Sequence, residues 1–505
     1  MRGPAACRSL AVSGLALLFG PVTHAAAPTL EHLYPAGAGP GSTNVVALHG
    51  KFDPWPVQVD VEGAGVRFQC QTHSGKLEVI VTAEASPGPR LVRLFNAEGA
   101  GEPRIFVVGT APELAETEPN NSPGAAQEVP RLPATINGRL DRTGDVDSFA
   151  VKLTAGQWLE ARLDAFTLMS GVDAVLRVVS SRGLELAWNH DFITFDPRIA
   201  WRSPTDQTVV VQVFGFRYPA DASVVLAGGE EAVYRLHLAA ASEAPDPRPP
   251  ASEEVEPNDT VATAEALPAD GMIRGTLGKV GDEDRFRFTT EEGKVYSITV
   301  EAAVWGSPLD DWVRVEDGDG KELAFNDDSE NSRDPHLDWK APRTGEFVVA
   351  VGSRTHRGDR DQFYRLAVRK GVPALRGRAL ASSLVIDPGS TNELKFAVNR
   401  LYGFTGAVEV AFRDLPAGLS SGPVVAPTSD GEVSLRLVAA TNAAAFSGPI
   451  RVVLVEGGSG RETPLDYELI SRGENNGVPQ GWWRLLLERT QRLWLTVKPK
   501  PAEKK

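Results

Sequence analysis

Two stretches of this 505-residue chain are copies of each other, and that duplication limits the fold more than any other feature. The segment ETEPNNSPGAAQEVP, starting at Glu116, returns as EVEPNDTVATAEALP, starting at Glu254. The spacing then persists across unrelated landmarks. Glu256 lies 138 residues beyond Glu118, and Gly275, Asp282, Asp310 and Asn326 lie 137 beyond Gly138, Asp145, Asp173 and Asn189. Asp334-Pro335 and Trp339 lie 138 beyond Asp196-Pro197 and Trp201, and the closing YRLAV at Tyr364 lies 130 beyond YRLHL at Tyr234. One folding unit has been duplicated in tandem.

Each copy reads as a series of short strands. INGRL or IRGTL is followed by an acidic turn, TGDVDSFAVKL or VGDEDRFRFTT. The hairpins AVLRVVSSRGLELAWN and DWVRVEDGDGKELAFND turn on Ser-Arg-Gly and Asp-Gly, which tolerate positive φ. Glu316 to Glu322 has a calcium-loop look but lacks the downstream Glu of an EF-hand, so a hairpin turn is expected there. About eight strands per copy fit an antiparallel sandwich. The whole chain carries 49 Gly and 37 Pro, with β-type runs and little helical periodicity, so the expected class is all-β, several β-sandwiches in tandem. Pro-rich, charged SEAPDPRPPASEE (242–254) is expected to be an extended, solvated linker, as is APELAETE before the first copy, with RKGVPALRGR closing the second.

Residues 1–25 read as a secretory signal: Arg2 and Arg8, an apolar run from Leu10 to Phe19, then Thr23-His24-Ala25 before Ala26. Nothing later approaches the about 18 apolar residues of a membrane span, so an exported chain, periplasmic or extracellular, is expected. Loss of the two arginines takes the net charge from −14 to −16, which disfavours nucleic acid or anionic membrane as partner. Cys70 is the one cysteine left after cleavage and reads as a strand residue.

The flanks are further β-modules. Residues 28–110, opening LYPAGAGPGSTNVVALHGKF, resemble immunoglobulin-like domains of the IPT/TIG kind, and 375–498 read as another Ig-like sandwich. Near the end, Leu485, Leu486, Leu487 and Leu493 allow a short helix, whereas RLWLTVKP alternates like a strand. Trp482 and Trp483 read as core or interface aromatics.

Taken as a set, the Glu-Pro-Asn opening, the Gly-Asp-x-Asp-x-Phe turn, the Leu-Asp hairpin start and the Tyr-Arg-Leu close resemble the bacterial pre-peptidase C-terminal (PPC) family, across 116–240 and 254–369. That family includes the collagen-binding domains of clostridial collagenases. The resemblance implies a jelly-roll-like sandwich without a catalytic role. It also implies calcium, held in the second copy by Glu254, Glu256, Asn258, Asp259, Asp282 and Asp284. In the first copy the matching positions are Glu116, Glu118, Asn120, Asn121, Asp145 and Asp147. The chemistry suits a hard cation wanting six to eight oxygens. Two Glu at i and i+2 on an extended segment point the same way. Asn121 is neutral where Asp259 is charged, so the first site should be the weaker. Solvated acids and self-capped turns are the alternative reading of the same residues.

No zinc, phosphate-loop or Gly-x-Ser-x-Gly motif occurs. His190 and His336 fall in equivalent loops without aligning, as surface histidines do. The expected function is therefore an exported, non-catalytic binding or scaffold protein engaging an extracellular or envelope protein or polysaccharide. The alternative is an accessory subunit of a secreted hydrolase, or a divergent peptidase.

Overall fold

Alternation of apolar and polar residues sets the architecture. Along Glu283–Thr290 every second side chain is buried, so one face of the strand meets a core and the other meets solvent. In the computed structural model the described residues are 26–500, except 193, 219–221, 223, 269–270, 330–331 and 472–485. They form an all-β protein of four two-sheet units.

The two copies share one topology. In the first, one sheet runs Glu113–Ala115, Ala134–Arg139, Val233–Ala241, Trp158–Asp164, Arg198–Arg202. Its partner runs Gln127–Glu128, Asp147–Leu153, Gln207–Arg217, Val172–Ser180, Glu185–Asn189. The second copy repeats both orders with Ser252–Glu253, Met272–Thr276, Phe363–Lys370, Val295–Glu301, His336–Lys340 and with Glu265–Ala266, Glu283–Thr290, Gly345–Ser353, Asp311–Glu316, Glu322–Asn326. Each encloses its own core, built around Phe149, Leu176 and Tyr234 in one case and Phe286, Val313 and Tyr364 in the other. The Asp317–Gly320 stretch is a hairpin turn, with Gly320 N donating to Asp317 O at 3.0 Å.

The repeated landmarks have structural causes. Asp196 and Asp334 accept backbone N–H groups at the start of equivalent 3-10 turns, Ala165 and Phe166 in one copy and Ala303 and Val304 in the other. Asn189 and Asn326 tie a hairpin strand to the next strand, by accepting from Arg198 N at 2.9 Å and by donating to His336 O at 2.8 Å. Cys70 ends the strand Val66–Cys70, and burial pushes its thiol pKa up, away from reactivity.

The segments read as linkers are more ordered than their composition implies. Glu113–Ala115 pairs in parallel with Ala134–Arg139, because the Glu113 carboxylate binds the fully buried Arg235 guanidinium at 2.8 Å. Within 242–254, Ser252–Glu253 pairs with Met272–Thr276, and Arg248 donates to the carbonyls of Gly275 (3.1 Å) and Tyr364 (3.2 Å). Charge made these stretches look solvated, yet the charges are what dock them.

The outer modules touch. Phe95 packs on buried Trp494 with ring centroids 4.5 Å apart, Arg492 binds Asp60 at 2.7 Å, and Tyr467 donates to Glu102 at 2.5 Å. Leu486–Thr490 and Leu493–Val497 are strands, so strand alternation wins over the short helix there; Trp482, Trp483 and Leu485 lie outside the described residues.

One core position differs between the copies in a way that affects stability. Asp311 stands in the second copy where the first has Ala174. It is fully buried and neither carboxylate oxygen has a partner among the described residues. Burial, with Asp334 nearby, pushes its pKa up to about 9. The unfolded-state value is about 4, so the folded state holds a proton that the unfolded state gives up. The contribution to stability is fully present below about pH 4 and is lost as pH rises toward 9. Asp311→Asn should therefore stabilise the protein by about 2–4 kcal/mol at pH 7 and by little at pH 4. Urea unfolding at the two pH values reads this directly; an unchanged pH slope contradicts it.

Candidate metal centre

The Glu-Pro-Asn opening runs across the end of each copy, where the acidic turn and the closing tyrosine meet it. In the second copy, one ligand atom each from Glu254, Glu256 and Asp284 lies within 4.8 Å of the others, as do atoms from Glu256, Asp259 and Asp282. Glu256 belongs to both groups, so the second copy holds two adjoining oxygen clusters. In the first copy Glu116, Glu118 and Asp147 form the corresponding single cluster.

Hydrogen bonds orient these groups without saturating them. Asn258 N donates to Glu256 Oε2 at 2.9 Å, and Thr276 N to Glu254 Oε1 at 2.6 Å. Gly278 N donates to Asp282 Oδ2 at 2.7 Å. The first copy repeats the pattern: Asn120 N donates to Glu118 at 2.9 Å, Arg139 N to Glu116 at 3.0 Å and Asp141 N to Asp145 at 2.7 Å. Behind each cluster the closing tyrosine donates to the second turn acid: Tyr364 to Asp284 at 2.6 Å, Tyr234 to Asp147 at 2.5 Å.

That tyrosine explains a landmark glycine. Gly275 lies opposite Tyr364 and Gly138 opposite Tyr234 in the sheet register. A Cβ on Gly275 would sit 2.2 Å from Tyr364 Cζ, and one on Gly138 would sit 2.1 Å from Tyr234 Cζ. The glycine leaves the space through which the phenol reaches the acid.

The oxygens left over point to a cation. Among the described residues, Asn258 Oδ1 and Asp284 Oδ1 are buried without a hydrogen-bond partner, as are Asn120 Oδ1 and Asp147 Oδ1. Asn120, Asn258, Asp147 and Asp284 are all fully buried. A buried carboxylate without a counter-charge is held neutral by desolvation. Accordingly, burial and then the neighbouring Glu254 push Asp284 up to about 10, and burial and then Glu116 push Asp147 up to about 9. Burial alone is the main cause that raises Glu116 to about 7. A donor set of carboxylates and one amide oxygen, with no nitrogen or sulfur, fits calcium. Glu254, Glu256, Asn258, Asp259, Asp282 and Asp284 would hold it in the second copy.

The two copies are unequal, as the Asn121 for Asp259 exchange implies. In the first copy the Asn121 amide donates to Asp145, so an amide donor stands there where the second copy has a further carboxylate. In the second copy Lys279 lies 2.8 Å from Asp259 and 3.4 Å from Asp282, an exposed ammonium bridging two acids. All twelve residues singled out from sequence lie at these two places. The sequence reading missed Tyr234, Tyr364, Gly138 and Gly275 as parts of the site, although each recurs in the repeat, the glycine at an offset of 137 and the tyrosine at 130. His190 and His336 stay apart from it: His190 pairs with Asp191 at 2.9 Å and His336 with Thr299 at 3.0 Å.

A second repeated feature lies on the outward face of the sheet containing the acidic-turn strand. Trp188, Arg177, Gln212 and Ser148 form a row across the first copy; Phe325, Arg314, Ala350 and Arg285 form the same row in the second. Arg177 stacks over Phe214 at 5.1 Å, and Arg314 over Trp312 at 4.6 Å. The stacked ring comes from opposite members of one strand pair. Phe214 faces Val175 in the first copy, and Trp312 faces Gly352 in the second, where a Cβ would lie 2.3 Å from the Trp312 ring. Trp188 is 57% exposed and Phe325 40%.

No family model matches the chain. It is 37% identical over 102 residues to a probable subtilase-type serine protease of Deinococcus radiodurans, a match spanning 19% of this chain and 14% of that protein. Among solved structures, Escherichia coli alpha-2-macroglobulin activated by porcine elastase is similar over 88% of this chain and 44% of its own, at 11% identity and a TM-score of 0.15. A putative membrane-anchored protein from Corynebacterium diphtheriae is similar over 92% of this chain and 99% of its own, at 8% identity and the same TM-score of 0.15. Overlap at that level carries no argument about the fold. Among the described residues no helix is long and apolar enough to cross a membrane.

Proposed function

We propose that this chain is an exported, non-catalytic binding scaffold whose two central PPC-like modules present the same surface twice to a protein or polysaccharide of the cell envelope or its surroundings. The observation that carries this reading is the duplicated arginine–aromatic row. Aromatic and arginine side chains concentrate at binding hot spots, because both combine a large apolar face with polar or charged reach. Gln212, Ser148, Ala350 and the stacked Trp312 are buried, so what both copies present outward is the arginine beside an exposed aromatic, Trp188 in one and Phe325 in the other. The candidate calcium ligands Asp147 and Asp284 lie on the strands that carry Ser148 and Arg285 of the row.

The test compares the full chain with a quadruple variant, Arg177→Ala, Trp188→Ala, Arg314→Ala and Phe325→Ala, in capture from the producing cell's envelope fraction and on protein and polysaccharide arrays. The reading expects a specific partner that the variant loses by about tenfold or more. Absence of any specific partner, or equal binding by the variant, overturns it.

The partial protease similarity favours a second reading, an accessory subunit of a secreted hydrolase or a divergent hydrolase. Hydrolysis of casein or of a polysaccharide panel by the purified chain, abolished by one acid or Ser substitution, would replace the first reading with this one.

A further inference from the structure

The second copy carries a cleft that the first lacks in chemical character. It has a volume of about 470 Å3 and lies at one end of the sandwich, with Phe288 and Tyr296 in its floor and Arg287, Arg369 and Lys370 around it. A neighbouring cleft of about 320 Å3 shares Arg369 and Lys370 and continues past Arg365, which is paired with Glu301 of the same lining, to Tyr402 of the C-terminal module. The two together form a track across the strand Phe363–Lys370.

Comparison of the copies shows what is unusual. Strand register places Arg287 where the first copy has Ala150, and Arg369 and Lys370 where it has Ala239 and Ala240. Ala266 replaces Glu128. In the first copy this end of the sandwich is neutral, Glu128 being paired with Lys152 at 2.5 Å. In the second, three cations face one acid of the lining, Glu346. Lys370 pairs with Glu291 at 2.5 Å; Arg369 bonds the Met272 sulfur at 3.2 Å; Arg287 has no ion pair among the described residues. The chain as a whole has 66 acidic against 52 basic residues, so a local excess of cations with arginines left unpaired is opposed to its general charge.

We infer that this track binds an acidic polysaccharide, a chain of carboxylate-bearing sugars. A guanidinium matches a carboxylate with two parallel hydrogen bonds, and the two arginines without an ion pair among the described residues, Arg287 and Arg369, come from strands of different sheets to the same cleft. The cleft volume is that of an ordinary small-ligand site, large enough for a sugar ring. Phe288 and Tyr296 are only 8% and 5% exposed, so they offer apolar edges to C–H groups and no open ring face. Stacking a nucleobase needs such a face, which separates this site from a single-stranded nucleic acid groove.

The experiment titrates the full chain with polygalacturonate oligomers, a neutral cello-oligosaccharide and an oligothymidylate, by calorimetry at low and moderate salt. Binding of the polygalacturonate alone is expected, weakening with salt. Arg287→Ala and the pair Arg369→Ala with Lys370→Ala restore first-copy residues at partly exposed positions, and each should weaken binding about tenfold or more. Lys152→Ala, at the matching end of the first copy, should leave it unchanged, which ties the binding to the second copy. No binding, equal binding of the neutral sugar or the oligothymidylate, or binding indifferent to the three cations overturns the inference.

Discussion

Alanine at Gly275 should destabilise the second copy by about 3 kcal/mol or more, and alanine at Gly138 should do the same to the first. The added methyl would lie 2.2 Å from Tyr364 Cζ and 2.3 Å from its hydroxyl. Neither group has room to yield, since Tyr364 is fully buried within the core it closes. If the ring moves instead, Asp284 loses the hydroxyl that donates to it at 2.6 Å. The cost therefore joins overpacking to a lost buried hydrogen bond. Thermal unfolding of the full chain measures it, with each substitution lowering the transition of its own copy. A change below about 0.5 kcal/mol, the range of ordinary surface substitutions, would mean that the glycine–tyrosine fit is not what holds this end of the sandwich.

Calcium should produce the second large effect. By linkage, an ion at a hundred times its Kd stabilises the folded state by about 2.7 kcal/mol per site, provided the unfolded chain does not bind it. Cation removal leaves buried carboxylate and amide oxygens without partners, and those belong to strands at the edge of each core. Adding 1 mM calcium to chelator-treated protein is expected to raise the unfolding temperature, more for the second copy than for the first. Glu256→Gln should remove most of the gain in the second copy, because Glu256 belongs to both of its oxygen clusters. Asp259→Asn copies the first-copy residue and should remove only part. A melting temperature indifferent to calcium would leave the orphaned oxygens without this explanation.

Much of this was legible in the sequence because duplication reports on structure twice. The all-β class followed from alternating runs such as EDRFRFTT, and the twelve acids and amides gathered at the two clusters were named through the family resemblance that the repeated opening and acidic turn carry. What escaped was whatever depends on contacts between distant strands. Tyr364 lies 80 residues beyond Asp284, so its role needed the sheet register. The linker reading failed at Arg248 and Glu113 because composition cannot tell a solvated charge from one that docks on a carbonyl or a buried guanidinium. The contact of Phe95 with Trp494 joins the two ends of the chain and has no local signal at all. The swap of Phe214 for Trp312 was hidden for a related reason: the two rings occupy one place but stand at different aligned positions.

The most direct test of the account is a count of bound calcium by equilibrium dialysis of the full chain, beside Glu256→Gln and Glu118→Gln. Saturable binding to the unaltered protein is expected, with loss of the second-copy ion in Glu256→Gln and loss of only the weaker first-copy ion in Glu118→Gln. Stoichiometric calcium that survives both substitutions, or no saturable binding at all, would contradict it.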